Sequence, residues 1–127
     1  MQETVETQVQ TKWVSMPRNR FFVYGIFLSK RNRDRYGMYN EEYNTVKGFV
    51  TRGGGIVTAE RTQDRGLALT GLTVSIDEDY VPALDRLEGG YDRIAVYTHD
   101  DELVWMYARP GTLGDVTTEE VDGIEIN

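Results

Sequence analysis

With 127 residues the chain is the size of one domain around a single core, at the usual ~100–200 residues per domain. Its 14 Lys and Arg stand against 21 Asp and Glu, and the formal charge of -7 disfavours nonspecific binding to nucleic acid or anionic membrane. The absence of cysteine removes disulfides, iron–sulfur clusters, thiolate zinc sites and cysteine nucleophiles, and the single histidine, His99, removes sites built from several imidazoles. Any catalysis must rest on carboxylates, hydroxyls, backbone amides, Lys or Arg.

In chain order, residues 1–15 are polar, without the apolar centre of a signal peptide, and are expected to be flexible. No later segment approaches the ~20 apolar residues of a membrane span, so a cytoplasmic protein is expected. Arg20-Phe21-Phe22-Val23-Tyr24 is an apolar run that stops at Gly25 and predicts a buried strand ending in a turn. Lys30-Arg31-Asn32-Arg33-Asp34-Arg35 is the tightest charge cluster, either a solvated loop or a rim that steers an anionic ligand.

Thr45 to Thr51 alternates as a strand, Gly53-Gly54-Gly55 predicts a hairpin or bulge, and Ile56 to Arg61 predicts its second arm. Leu67 to Ile76 predicts a longer strand that bends at Gly71. A helix should begin near Asp77 to Asp79, tolerate Pro82 in its first turn and end at Gly89-Gly90. Ile94 to Tyr97 and Leu103 to Tyr107 predict two strands joined by the polar turn at His99, to which no role is given. The acidic stretch 112–127 is expected to be flexible. The whole predicts one α+β domain over 1–127: a small, strongly bent mixed sheet or partial barrel of about six strands, covered by one main helix.

The charge is not evenly spread. Eleven bases and five acids lie between Lys12 and Arg65, whereas fourteen acids and three arginines follow from Asp77 onward. On the predicted helix, at about 100° per residue from Leu84, Tyr80 falls near -40°, Leu87 near -60°, Val81 near +60° and Glu88 near +40°, inside the apolar arc. Asp85 and Arg86 fall at its edge and beyond, as a surface pair would. A carboxylate on a buried helix face near the negative end of the dipole is pushed toward the neutral form, which suits proton transfer. Helical geometry alone leaves two other fates open for Glu88, a frayed last turn or a structural pair with Arg93.

Phe22-Val23-Tyr24-Gly25, then Leu84-Asp85-Arg86-Leu87-Glu88-Gly89, then Tyr91-Asp92-Arg93 resemble, in order and spacing, the motifs of the gamma-glutamylcyclotransferase-like family. Val46 to Gly53 and Gly71 are similar to its middle strands, and the resemblance covers roughly Phe21 to Tyr107. It implies a cofactor-independent reaction in which the free α-amine of a γ-glutamyl group attacks its own side-chain carbonyl, releasing 5-oxoproline and an amine. Glu88 matches the glutamate that carries the proton, and no metal or cofactor is implied. Tyr24 and Gly25, followed by Ile26 and Phe27, match the turn whose amides grip the substrate, and Tyr91 and Tyr107 fall where the family has pocket tyrosines.

Ile26-Phe27 replaces the family's Ser/Thr-Leu, removing a hydroxyl and adding an aromatic ring that belongs to either the pocket or the core. The expected partner is a small molecule. The alternative to an enzyme is a binding module of the same fold, sequestering an anionic or zwitterionic ligand with Lys30, Arg31, Arg33 and Arg35 supplying charge. A protein-interaction role for Trp13, Trp105 or the acidic tail has no sharper signal behind it.

Overall fold

The computed structural model of the protein describes residues 14–15, 19–53, 58–64, 66–116 and 121–122. Strand β1 (Val14–Ser15) is followed by β2 (Arg20–Val23), a 3-10 turn (Gly25–Leu28) and a short helix α1 (Lys30–Arg35). Then come β3 (Met38–Lys47), β4 (Phe49–Arg52), β5 (Thr58–Arg61), β6 (Ala68–Ile76), a 3-10 turn (Glu78–Tyr80) and helix α2 (Val81–Leu87). The chain closes with β7 (Asp92–Tyr97), β8 (Leu103–Ala108) and β9 (Val121–Asp122). The main sheet has the order β3-β6-β2-β8-β7, antiparallel except for the parallel pair β2–β8. β4–β5 form an antiparallel ladder, and β1–β9 a parallel one. The result is an open mixed α+β sheet.

β8 contains no exposed residue, as expected of a strand covered on both faces. Its alternate residues feed two cores. Leu103, Trp105 and Tyr107 join Phe21, Val23, Phe27 and Leu84 under α2 and the first 3-10 turn. Val104, Met106 and Ala108 join Phe22, Val46, Phe49 and Ala59 under the β4–β5 ladder. Leu84, fully buried, anchors α2.

Several expectations are corrected in detail. The alternating stretch Thr45 to Thr51 is two strands, broken at Gly48, whose N–H bonds the Leu67 carbonyl while its own carbonyl accepts from Thr62 N. The charge cluster is a helix rather than a loop, carrying a Lys30–Asp34 pair at i,i+4. The expected Asp77 cap makes no side-chain hydrogen bond; a 3-10 turn precedes α2, with Pro82 in the helix's first turn.

At the start of the tail expected to be loose, Asp115 N and Val116 N donate to the Ala95 carbonyl, and Asp115 pairs with Arg61. Trp105 is buried, with the Arg93 guanidinium over its ring at 5.1 Å, so it presents no interaction surface. Trp13, Gly54 to Val57, on which the expected hairpin or bulge largely falls, and most of 1–15 and 117–127 lie outside the described residues.

Gly71 is explained by close approach. A Cβ on this β6 residue would clash with the Val23 carbonyl oxygen and reach within 2.7 Å of the Phe22 ring. Since both belong to β2, the strand that delivers Tyr24, Gly71→Ala is expected to lower unfolding stability by about 1–3 kcal/mol, the usual cost of overpacking. Chemical denaturation checks this; a change within 0.5 kcal/mol of zero, roughly the scatter of neutral surface substitutions, would show that β2 yields freely.

Candidate functional site

β2 ends at Val23, and after Tyr24 the chain turns sharply through Gly25, whose φ of 66° lies in the left-handed region that glycine adopts without penalty. The 3-10 turn then runs from Gly25 to Leu28. Its first N–H groups, of Gly25 and Ile26, have no partner within the turn. Its carbonyls are held from the other side: Asn32 Nδ2 donates to the Ile26 carbonyl at 2.8 Å and Arg33 Nη1 to the Phe27 carbonyl at 2.9 Å. Helix α1 therefore clamps this turn.

The turn forms one wall of a cavity of about 530 Å³, within the range that holds a small ligand. Tyr24, Gly25, Ile26, Phe27, Glu88, Tyr91 and Tyr107 all line it, along with Phe22, Val23, Leu84 and Leu87. Lys30, Arg31, Arg33 and Arg35 do not. Arg33 is occupied by the turn and by Glu41 at 3.3 Å, and Lys30 by Asp34. The basic cluster thus supports the cavity wall from behind and contributes no cation to its lining.

Glu88 caps α2. Its N–H donates to the Leu84 carbonyl at 2.9 Å and its carbonyl accepts from Tyr91 N at 2.9 Å, so the last turn is closed rather than frayed. Four carboxylates are half-buried among the described residues: Glu60, Asp85, Glu88 and Glu102. Glu60 pairs with Arg52 and Arg109, Asp85 with Arg93, and Glu102 with Arg20. Glu88 is the exception, with no side-chain hydrogen bond or ion pair among the described residues. Burial pushes its pKa above the ordinary carboxylate value.

The tyrosines divide into different tasks. Tyr24 OH donates to the Tyr107 carbonyl at 2.6 Å and accepts from Ala59 N at 3.0 Å, so its hydroxyl ties β2, β5 and β8 together. Burial, with smaller contributions from Glu88 and Tyr91, pushes its pKa up to about 12, and the phenol stays neutral. Tyr107 OH donates to Asp85 Oδ1, and burial first, then that carboxylate, raises its pKa. Tyr91 OH lies 3.4 Å from Thr58 Oγ1.

Asp85 is the residue that the helical pattern misassigned. It stands at the edge of the apolar arc like a surface acid, but Arg93 Nη2 at 3.5 Å and the Tyr107 phenol make it a half-buried bracket. No periodicity within the helix reveals partners on β7 and β8. Phe27 is 4% exposed, edge-on to Tyr36 with ring centroids 5.7 Å apart, and belongs to the core as well as to the cavity wall. Ile26, by contrast, is 58% exposed.

No protein-family model matches the chain, and no curated protein matches it. Among solved structures it is similar to At5g39720.1 from Arabidopsis thaliana, at 18% identity and a TM-score of 0.62, covering 80% of this chain and 73% of that one. It is also similar to YkqA from Bacillus subtilis, at 20% identity and a TM-score of 0.58, covering 74% of this chain and 36% of that one. A gamma-glutamyl cyclotransferase matches at 16% identity and a TM-score of 0.55, covering 72% of this chain and 66% of that one. The chain therefore has the gamma-glutamyl cyclotransferase-like fold.

Proposed function

We propose that the protein is a cofactor-independent cyclotransferase acting on a γ-glutamyl amide. The observation that carries this reading is the half-buried Glu88 carboxylate, lining the same cavity as Gly25 and Ile26, with neither that carboxylate nor the N–H groups of those two residues having a partner among the described residues. In this reading the substrate's α-carboxylate accepts from those N–H groups, which bends the glutamyl chain toward ring closure. The Glu88 carboxylate accepts a proton from the attacking α-nitrogen. A bond forms from that nitrogen to the γ-carbonyl carbon, the amide C–N bond breaks, and the proton passes to the leaving nitrogen. The products are 5-oxoproline and the free amine.

Desolvation of Glu88 supports the assignment. A carboxylate of ordinary pKa, roughly 4.3, is a weak base at neutral pH, and burial makes it a stronger one. The neutral phenols of Tyr24 and Tyr107 keep their protons and act as fixed walls. The likeness in fold to a gamma-glutamyl cyclotransferase agrees with the reading at the level of architecture.

Glu88→Gln keeps size and polarity but removes the base, and is expected to reduce 5-oxoproline formation from a γ-glutamyl amide panel by about 10²–10⁴-fold. Release of 5-oxoproline measured by chromatography tests this. Equal yields from both proteins would overturn the assignment of Glu88, and retained ligand binding without product from either would indicate a binding module instead.

The pH dependence has a defined sign. Glu88 acts as base only when ionised, so kcat/KM should fall as pH drops through its raised pKa. The midpoint of that limb should lie above the ordinary Glu value, and the limb should be absent in Glu88→Gln.

Stability should run the opposite way. Because the folded-state pKa of Glu88 lies above its unfolded value, its contribution to stability is greatest at acid pH and is lost as pH rises through the folded pKa. Glu88→Gln is thus expected to melt no lower than the parent at pH 8, with any advantage disappearing toward pH 4. Thermal unfolding at the two pH values checks this, and a lower Tm for the variant at pH 8 would mean that the carboxylate is stabilised by a partner.

A further inference from the structure

With the reacting groups assigned, the rest of the cavity wall has a chemistry of its own. No Lys, Arg or His lines it among the described residues. Among the described residues, the groups on it able to donate to an anion are the pair of N–H groups on the turn, which the glutamyl carboxylate occupies in the proposed reaction, and the Tyr91 hydroxyl, which lies 3.4 Å from Thr58 Oγ1. A leaving amine with its own carboxylate, as in an amino acid or peptide, would find no cation in this lining and would share the cavity with Glu88. In a partly desolvated site that repulsion is not screened as it is in water.

The remaining wall is hydrocarbon. Phe22, Val23 and Leu84 are buried, whereas Ile26 and Leu87, both lining residues, are 58% and 46% exposed. Ile26 follows Gly25 and Leu87 precedes Glu88, so each stands directly beside one of the reacting elements. Large aliphatic side chains left in water on a cavity wall are stabilised when a ligand covers them with hydrocarbon. Ile26 also stands where the motif this segment resembles has a small hydroxyl residue, so the polar group next to the substrate has been exchanged for an apolar one.

We infer that the leaving group is an uncharged, apolar amine whose hydrocarbon chain lies over Ile26 and Leu87, and that these two residues set the choice of substrate. The inference rests on the cyclotransferase reading and leaves its chemistry unchanged. The amide bond broken is simply one to an alkyl or aralkyl nitrogen, which departs with the proton that Glu88 supplies. The contribution of the lip is uniform binding of the chain, so it should act on kcat/KM through chain length.

The experiment is a homologous series of γ-glutamyl n-alkylamides from methyl to hexyl, with γ-glutamylglycine and γ-glutamylglutamate as anionic comparators, assayed for 5-oxoproline. For the native protein kcat/KM should rise about fourfold per methylene, equivalent to the transfer of one CH₂ from water, until the lip is spanned. The hexylamide should exceed both anionic compounds by at least about 100-fold, on the same per-methylene scale.

Ile26→Ser and Leu87→Ser should each flatten the slope, and the double variant should bring it close to onefold per methylene. The slope is a ratio within one preparation, so a reduced folded fraction does not alter it. Turnover at equal rates along the series, preference for the anionic compounds, or a slope unchanged in the double variant would overturn the substrate class while leaving the reaction standing. No 5-oxoproline from any member would overturn the reaction, and the preference with it.

Discussion

The hydroxyl of Tyr24 is the junction on which the site depends. It donates to the Tyr107 carbonyl of β8 and accepts from the Ala59 amide of β5, so one side chain fixes the end of β2 to the main sheet and to the β4–β5 ladder. The next residue, Gly25, turns the chain with a positive φ, and the direction of its unbonded N–H depends on where that junction holds Tyr24. A buried phenol with both a donor and an acceptor partner has little reason to move or to ionise, and its raised pKa follows from the same burial. Together with the clamp of Asn32 and Arg33 on the carbonyl side, this fixes the turn from two directions.

The distribution of charge takes on a different meaning against this structure. The basic first half and acidic second half of the chain suggest a steering field, but the fold joins them instead. Arg20 reaches Glu102 at 2.8 Å and Arg61 reaches Asp115 at 3.0 Å, each pairing an early base with a late acid. Such pairs, part-buried, direct how distant segments dock more than they add to stability. With Glu60 held by Arg52 and Arg109 and Asp85 by Arg93 as well, Glu88 stands out as the half-buried acid without a partner among the described residues. A half-buried carboxylate with no partner among the described residues costs stability, and that expense is intelligible in the proposed role of Glu88 as a base.

Much of the site was legible because it depends on local geometry. The helical arc placed Glu88 on the same side as Leu84, and the run from Phe22 to Gly25 announced a strand ending in a turn. What stayed hidden depended on distant partners. Asp85 reads as a surface acid until Tyr107, 22 residues away, and Arg93 supply its bonds. Of β3 only Thr45 to Lys47 fell within a predicted strand, because it is an edge strand whose middle residues are mostly exposed and therefore show no alternation of apolar and polar side chains. The helical character of α1 was partly visible in the i,i+4 spacing of Lys30 and Asp34, but its role lay in the carbonyls it holds, which no charge pattern discloses.

The departure at Ile26-Phe27 follows from the same division between backbone and side chain. In the proposed reading a substrate carboxylate is held by N–H groups that are set by Gly25, by the Tyr24 junction and by the carbonyl clamp, none of which uses the side chain of residue 26. Phe27 turns into the core, its ring edge-on to Tyr36. Ile26, by contrast, is exposed on the cavity wall. On that reading one exposed side chain, Ile26, and with it the surface met by the leaving group, can change without disturbing the turn or Glu88. Chemistry and selectivity would then lie on different parts of the same segment, the backbone for the one and the side chain for the other.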